Sequence, residues 1–253
     1  MLLDAHAHPD MYDDVEAREA IEEMERDHIL IVATSMDFPS YERAKRLGHK
    51  SRNFVPAFGV HPWNAHLHGD QLDAIREAAR TETVLAEIGL DYRRIQDLRH
   101  YPLERAVFQI FLDEAASRDH LLSIHLNGAE GDAWRMMRGH DLGRVIIHSY
   151  SGDLDSLKRF IGYGCYFSVG PRVRQIERLR DIVREIPADR LLTETDGPGQ
   201  RAPETGKRGT PGRVRESLAG IAEVKGMRLA DVEALVLENY RRLIKGLPLP
   251  ESW

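Results

Sequence analysis

The stretch Leu2-Leu3-Asp4-Ala5-His6-Ala7-His8 is a short apolar run that closes on two imidazoles separated by one small residue. Followed by amphipathic spacing from Val15 to Met24, it reads as a buried strand leading into a helix. The same unit recurs along the chain. Apolar runs at Leu2–Ala5, Ile29–Thr34, Phe54–Val60, Thr83–Ile88, Leu121–Ile124, Arg144–Ile147, Cys165–Val169 and Arg190–Thr195 predict eight strands. Between them the apolar positions take helical spacing, as in Leu72 to Ala79, Leu103 to Ala116 and Leu154 to Ile161. Runs that do not alternate mark strands buried on both faces, as in a parallel sheet covered by helices. A Gly/Pro/Arg-rich stretch, Gly197 to Gly212, and two further helical patterns, Val214 to Val224 and Leu229 to Ile244, follow the last run. Eight βα units in 253 residues, with no tract that would split the chain, predict an α/β fold of the (βα)8 TIM-barrel type with residues 1–253 as a single domain. The alternative, an open doubly wound sheet, is disfavoured because no glycine-rich dinucleotide motif follows the first strand.

At 42% apolar and 30% charged residues, the composition is that of a core-forming protein and excludes an intrinsically disordered chain. No apolar stretch reaches the roughly 18 residues that a membrane span requires. With 35 Lys+Arg against 41 Asp+Glu, the formal charge of −6 supplies no broad positive field, so a nucleic acid would have to be gripped locally. The lone Cys165 reads as a small core residue, and the N-terminus lacks the pattern of a signal peptide; both predict a reducing, cytoplasmic setting.

The chain has twelve His, and their placement carries the chemistry. In a barrel of this type the site is built where the strands end. Here the runs close on His6 and His8, His61, Glu87, His125, His148 and Asp196, all of them metal-ligand types. Residues i and i+2 of a strand face the same way, so His6 and His8 can address one ion. An HxH pair alone is weak, as His66 and His68 in a predicted surface loop illustrate; the joint pattern is what counts, since so many carboxylates and imidazoles resist burial without a cation. His28, His49, His100, His120 and His140 read as surface or cap residues. Asp4 and Glu194 share strand parity with His6 and Asp196, which predicts inward carboxylates beneath the cluster that orient imidazoles or pair with a buried cation.

Asp4-Ala5-His6-Ala7-His8, Phe58-Gly59-Val60-His61-Pro62, Glu87-Ile88-Gly89-Leu90-Asp91-Tyr92, Ile124-His125, Ile147-His148-Ser149-Tyr150-Ser151-Gly152 and Glu194-Thr195-Asp196 resemble, in this order and nearly end to end, the TatD family of metal-dependent hydrolases. The resemblance implies an amidohydrolase-type barrel with two divalent ions and a tendency toward phosphodiester substrates, including DNA. It implies that His6, His8, Glu87 and Asp196 hold one ion, that Glu87, His125 and His148 hold the other, and that Glu87 bridges them. Three departures fall on the substrate side. Asn127 stands where the family usually carries Arg, Trp63 where another His is frequent, and Gly209 where Asn is common.

Imidazole and carboxylate ligands suit Zn²⁺ first, with Mn²⁺ or Mg²⁺ as alternatives, and not Ca²⁺. Such a site hydrolyses without a protein nucleophile, so Glu87 as bridge and Asp196 as general base are the expected catalytic carboxylates. His61, Trp63, Tyr92, Arg94, Lys207 and Arg208 are the expected substrate contacts, with Arg93, Arg172 and Arg174 as further cations; guanidinium suits phosphate oxygens, and Trp63 and Tyr92 suit a base or ring. The leading expectation is a hydrolase of phosphoesters, at nucleic-acid ends or in small molecules. A metal-dependent amidohydrolase, lactonase or esterase is the alternative, and a barrel that has lost catalysis and serves as a binding scaffold is a third reading.

Overall fold

A computed structural model describes residues 1–199 and 208–249. Among the described residues, eight parallel strands carry the architecture: β1 (Leu2–Ala7), β2 (Ile29–Ala33), β3 (Phe54–Pro56), β4 (Val84–Asp91), β5 (Leu121–Asn127), β6 (Val145–His148), β7 (Tyr166–Val169) and β8 (Leu191–Thr193). The helices that cover them are α1 (Asp14–Asp27), α2 (Phe38–Gly48), α3 (Pro62–Ala65), α4 (Leu72–Thr81), α5 (Tyr101–Ser117), α6 (Glu130–Met137), α7 (Leu154–Tyr163), α8 (Glu177–Glu185), α9 (Val214–Lys225) and α10 (Leu229–Ile244). Among the described residues no helix is long and apolar enough to cross a membrane.

Strands pair as β1-β2-β3 and as β4-β5-β6-β7-β8. Two seams close these segments into a barrel. Between β3 and β4, Phe58 N–H donates to Val84 O (3.0 Å) and Ala86 N–H to Phe58 O (2.8 Å). Between β8 and β1, Asp196 N–H donates to His6 O (3.0 Å), His8 N–H to Gly197 O (2.6 Å) and Thr195 N–H to Asp4 Oδ1 (2.9 Å). The strand residues are buried almost throughout, which is why their sequences do not alternate.

The predicted third strand, Phe54–Val60, is shorter in the structure: regular pairing stops at Pro56, whose nitrogen has no hydrogen to donate, and only Phe58 bridges onward to Leu85. Two glycines let backbones approach where the site forms. A Cβ on Gly59 would lie 2.3 Å from Ala86 C and Glu87 N, and one on Gly89, at φ +138°, would lie 2.1 Å from His125 O. Polar helix ends set the frame: Asp13 caps α1 in a reciprocal arrangement with Glu16, and Asp153 caps α7.

Several histidines outside the strand ends are structural. His28 and His49 cap the C-termini of α1 and α2, and His100 precedes α5. His120 and His68 correct the surface reading: both are buried, His120 with Nδ1 2.7 Å from Glu82 O and His68 with Nδ1 3.2 Å from Gln71 Oε1. Cys165 is fully buried, with its thiol pushed up by burial.

Candidate metal centre

β1 delivers His6, and His8 follows directly on its end; β4 delivers Glu87, β5 and β6 deliver His125 and His148, and the residue three beyond β8 is Asp196. Glu87 stands at the middle. Its Oε2 lies 3.3 Å from His6 Nε2 and 3.0 Å from His8 Nε2; its Oε1 lies 3.2 Å from His61 Nε2, 2.8 Å from His125 Nδ1 and 2.7 Å from His148 Nε2. Asp196 Oδ1 is 3.6 Å from His8 Nε2, on a side chain that is 29% exposed and lines the adjoining cavity. One carboxylate oxygen therefore faces the β1 imidazoles and the other faces those of β5 and β6.

The electrostatics centre on Glu87. Burial works against its charge, yet His61, His148 and His6 hold its carboxyl well below the usual range. Burial pulls the imidazoles toward neutrality; for His8 the Glu87 and Asp196 carboxylates outweigh it and set the value at about 9, and His148 and His125 are likewise raised by their carboxylate partners. His6, stacked on His148 with ring centroids 3.7 Å apart, is lowered by burial and that neighbour. A field that favours protons on these nitrogens also favours a divalent cation among them. The ligand atoms of His6, His8 and Glu87 lie within 4.8 Å of one another, as do those of His61, Glu87 and His125. Buried, convergent nitrogen and oxygen donors of this kind fit a borderline divalent ion.

Outer contacts decide which nitrogen each ring offers. His125 Nε2 lies 3.0 Å from Asp91 Oδ2, which places the proton there and leaves Nδ1 toward Glu87. His148 Nδ1 is 3.6 Å from Glu194 Oε2, an oxygen that also accepts from Ser168 Oγ. His6 Nδ1 is 3.1 Å from Ser123 Oγ. His61 differs: its Nδ1 accepts the Trp63 N–H at 3.1 Å, so in the neutral ring the proton sits on Nε2 and is donated to Glu87. Burial lowers His61 to about 4, which keeps that ring neutral. Asp4 accepts from Thr195 and from His6 N–H, not from an imidazole ring, and burial pushes its carboxyl up to about 8.

Beside the cluster opens a cavity of about 460 Å³ whose lining includes Trp63, Arg93, Arg94, Asn127, Arg172 and Arg178. The structure brings Trp63 and Arg94 to this cavity but not every residue expected there. Tyr92 stacks on Tyr101 (centroids 3.9 Å apart), and its hydroxyl is taken up by Asp132 and Arg105, so it is engaged in packing at α5 and α6. Arg208 Nη1 lies 2.8 Å from both Met11 O and Glu16 Oε2, against α1 and away from the cavity lining. Arg174 pairs with Glu223. Lys207 lies outside the described residues.

Two residues escaped the sequence reading. Thr34, which closes the β2 run, places Oγ1 3.4 Å from His6 Nε2 and 3.3 Å from His8 Nδ1. Asp91, fully buried, accepts from His125, Trp63 Nε1 (2.8 Å), Asn127 Nδ2 (3.2 Å) and the backbone of Arg93 and Arg94. Those donors outweigh burial and hold its carboxyl far below the usual range. The usable signal was its spacing, four residues beyond Glu87 on one strand and so on the same face.

Comparison with known proteins agrees with this architecture. A family model described as TatD related DNase matches residues 3–245. The uncharacterized metal-dependent hydrolase YcfH of Escherichia coli K12 is 29% identical over 254 residues, covering 96% of this chain and 95% of that protein. The human deoxyribonuclease TATDN3 is 24% identical over 264 residues, covering 97% of this chain and 95% of that one. YjjV, a TatD homolog of Escherichia coli K12 whose crystal structure is known, matches with a TM-score of 0.85 over 98% of both chains at 22% identity, a likeness of fold.

Proposed function

The chain belongs to the TatD related DNase family of metal-dependent hydrolases, and from that premise we propose that it hydrolyses phosphoester bonds, at nucleic-acid ends or in small phosphoesters, using two divalent ions. Zn²⁺ suits the mixed imidazole and carboxylate donors best, ahead of Mn²⁺ and Mg²⁺. The observation that carries this reading is Glu87, whose two oxygens address separate sets of imidazoles. His6, His8, Glu87 and Asp196 would hold one ion, and Glu87, His125 and His148 the other. When bound, such ions supply Lewis acidity and neutralise charge on the attacking and leaving oxygens of a phosphoryl group.

The protein's own groups supply the rest. Asp196 is the cluster carboxylate that reaches the cavity, and it takes the proton from the attacking water. His61 steadies Glu87 by donating to Oε1, the oxygen that also faces His125 and His148, and Asp91 and Glu194 orient those two rings. Arg93, Arg94 and Arg172 at the cavity hold the anionic substrate, a local source of positive charge on a chain of net charge −6. The deoxyribonuclease name of the human relative supports a nucleic-acid substrate. The test is a substrate panel on metal-reconstituted protein: single-stranded DNA ends and aryl phosphodiesters against amides, lactones and carboxylic esters. Chelator-sensitive cleavage of the phosphoesters is expected; efficient turnover confined to the carbon–nitrogen or carboxylic-ester substrates replaces this reading with an amidohydrolase or esterase.

A further inference from the structure

Trp63, the second residue of α3, sits at the cavity, half-buried and edge-on to His61 and His125, with ring centroids 4.5 and 6.2 Å away. Its Nε1–H donates to Asp91 Oδ2 at 2.8 Å. Over the same indole, 4.3 Å from its centroid, lies the guanidinium of Arg94, whose backbone N–H donates to Asp91 Oδ1 at 2.8 Å. One buried carboxylate thus holds the indole directly and anchors the backbone from which the guanidinium extends. Arg94 is exposed, lines the cavity and forms no ion pair with any described residue. The same Asp91 Oδ2 also holds His125 Nε2 at 3.0 Å and accepts from Asn127 across the β4–β5 pair.

We propose that the Trp63–Arg94 stack is a subsite for a planar aromatic ring on the substrate, and that Asp91 is the positioning residue that couples this subsite to His125. A guanidinium laid on an indole forms a flat, cationic slab; it attracts the π-face of a ring and offers edge N–H donors to an adjoining anion, whereas a saturated group gains neither. Ile176 and Leu179, half-buried in the same cavity, add apolar surface for such a ring. Asp91 serves both ends: it keeps the proton on His125 Nε2, so that Nδ1 is offered toward Glu87, and it sets the plane of the stack. The inference rests on the phosphoester reading for the anion that accompanies the ring.

Isothermal titration of metal-reconstituted protein with thymidine 5′-monophosphate, phenyl phosphate and ribose 5-phosphate tests it. The ring-bearing probes should bind about tenfold or more tightly than ribose 5-phosphate, the range of an aromatic stack, and which of the two binds better tells a nucleobase from a simple aryl group. Trp63→Leu should abolish that preference. Asp91→Asn should lose it and weaken metal binding by about 10- to 100-fold together, while Trp63→Phe, which keeps a ring but cuts the link to Asp91, should reduce the preference with metal affinity retained. A wild type without ring preference, or a Trp63→Leu variant that keeps it, overturns the subsite; an Asp91→Asn variant with full metal affinity overturns the coupling. Turnover of bis(p-nitrophenyl) phosphate is measured in parallel. Ring preference without any phosphoester cleavage refutes the proposed reaction and leaves the subsite standing; cleavage without ring preference does the reverse.

Discussion

Glu104 Oε2 accepts the backbone N–H of Asp91 at 3.1 Å, from a place on α5 where the side chain is buried and Oε1 has no hydrogen-bond partner among the described residues. Burial, aided by the nearby Asp91 charge, raises this carboxyl from 4.5 to about 7. The folded state then binds more protons than the unfolded state between these values, so stability falls as pH rises through that window and is fully reduced above it, by on the order of 3 kcal/mol. Glu104→Gln keeps an acceptor for Asp91 N–H and removes the titration. Its stability relative to the wild type should climb from pH 4.5 to 7 and then level off in urea denaturation. Parallel curves across that range would mean that Glu104 does not carry the penalty.

Glu87 faces five imidazoles, two at Oε2 and three at Oε1. Elemental analysis of the purified wild type should find close to two divalent ions per chain, and Glu87→Ala or His6→Ala should lose metal and hydrolysis together. A protein with no bound metal, and with activity indifferent to chelators, would remove the basis for the metal reading.

The barrel and its metal-ligand types were legible because both are local in sequence. A non-alternating apolar run states a buried strand, and the polar residue that closes it states what the strand offers; His6, His8, Glu87, His125 and His148, singled out this way, are brought together in the structure. What stayed hidden depends on partners far along the chain. Asp91 shares a strand face with Glu87, but that spacing alone assigns it no task; its role arises from Trp63, His125 and Asn127, 28, 34 and 36 residues away. Arg208 looked free for phosphate because Glu16, 192 residues distant, is invisible to local reading. Tyr92 carries the right chemistry for stacking, but Tyr101 and Asp132 claim both its ring and its hydroxyl.

Asp196 combines a position next to His8 with a partly exposed carboxylate at the cavity. Asp196→Asn retains an oxygen for an ion but takes no proton. Turnover at saturating metal should drop by about 10² to 10⁴ while most of the fold and much of the bound metal persist, the usual cost of deleting a general base. Near wild-type turnover would move the base role to another group.

Arg172 and Arg208 make opposite predictions although both follow barrel strands. Arg172 is exposed, lines the cavity and forms no ion pair with a described residue, so its guanidinium remains for a substrate anion. Arg172→Ala should raise KM for a phosphorylated substrate about tenfold, the worth of one charge-assisted hydrogen bond, with metal content unchanged. Arg208 is spent on Glu16 and Met11 O, and its loss should leave KM within about twofold and cost less than about 1 kcal/mol of stability, as for other exposed ion pairs. Because Lys207 lies outside the described residues, the single variant Arg208→Ala is the informative one. Steady-state kinetics decide: a silent Arg172→Ala beside an Arg208→Ala that raises KM would move the anion contact to the α1 side of the barrel mouth.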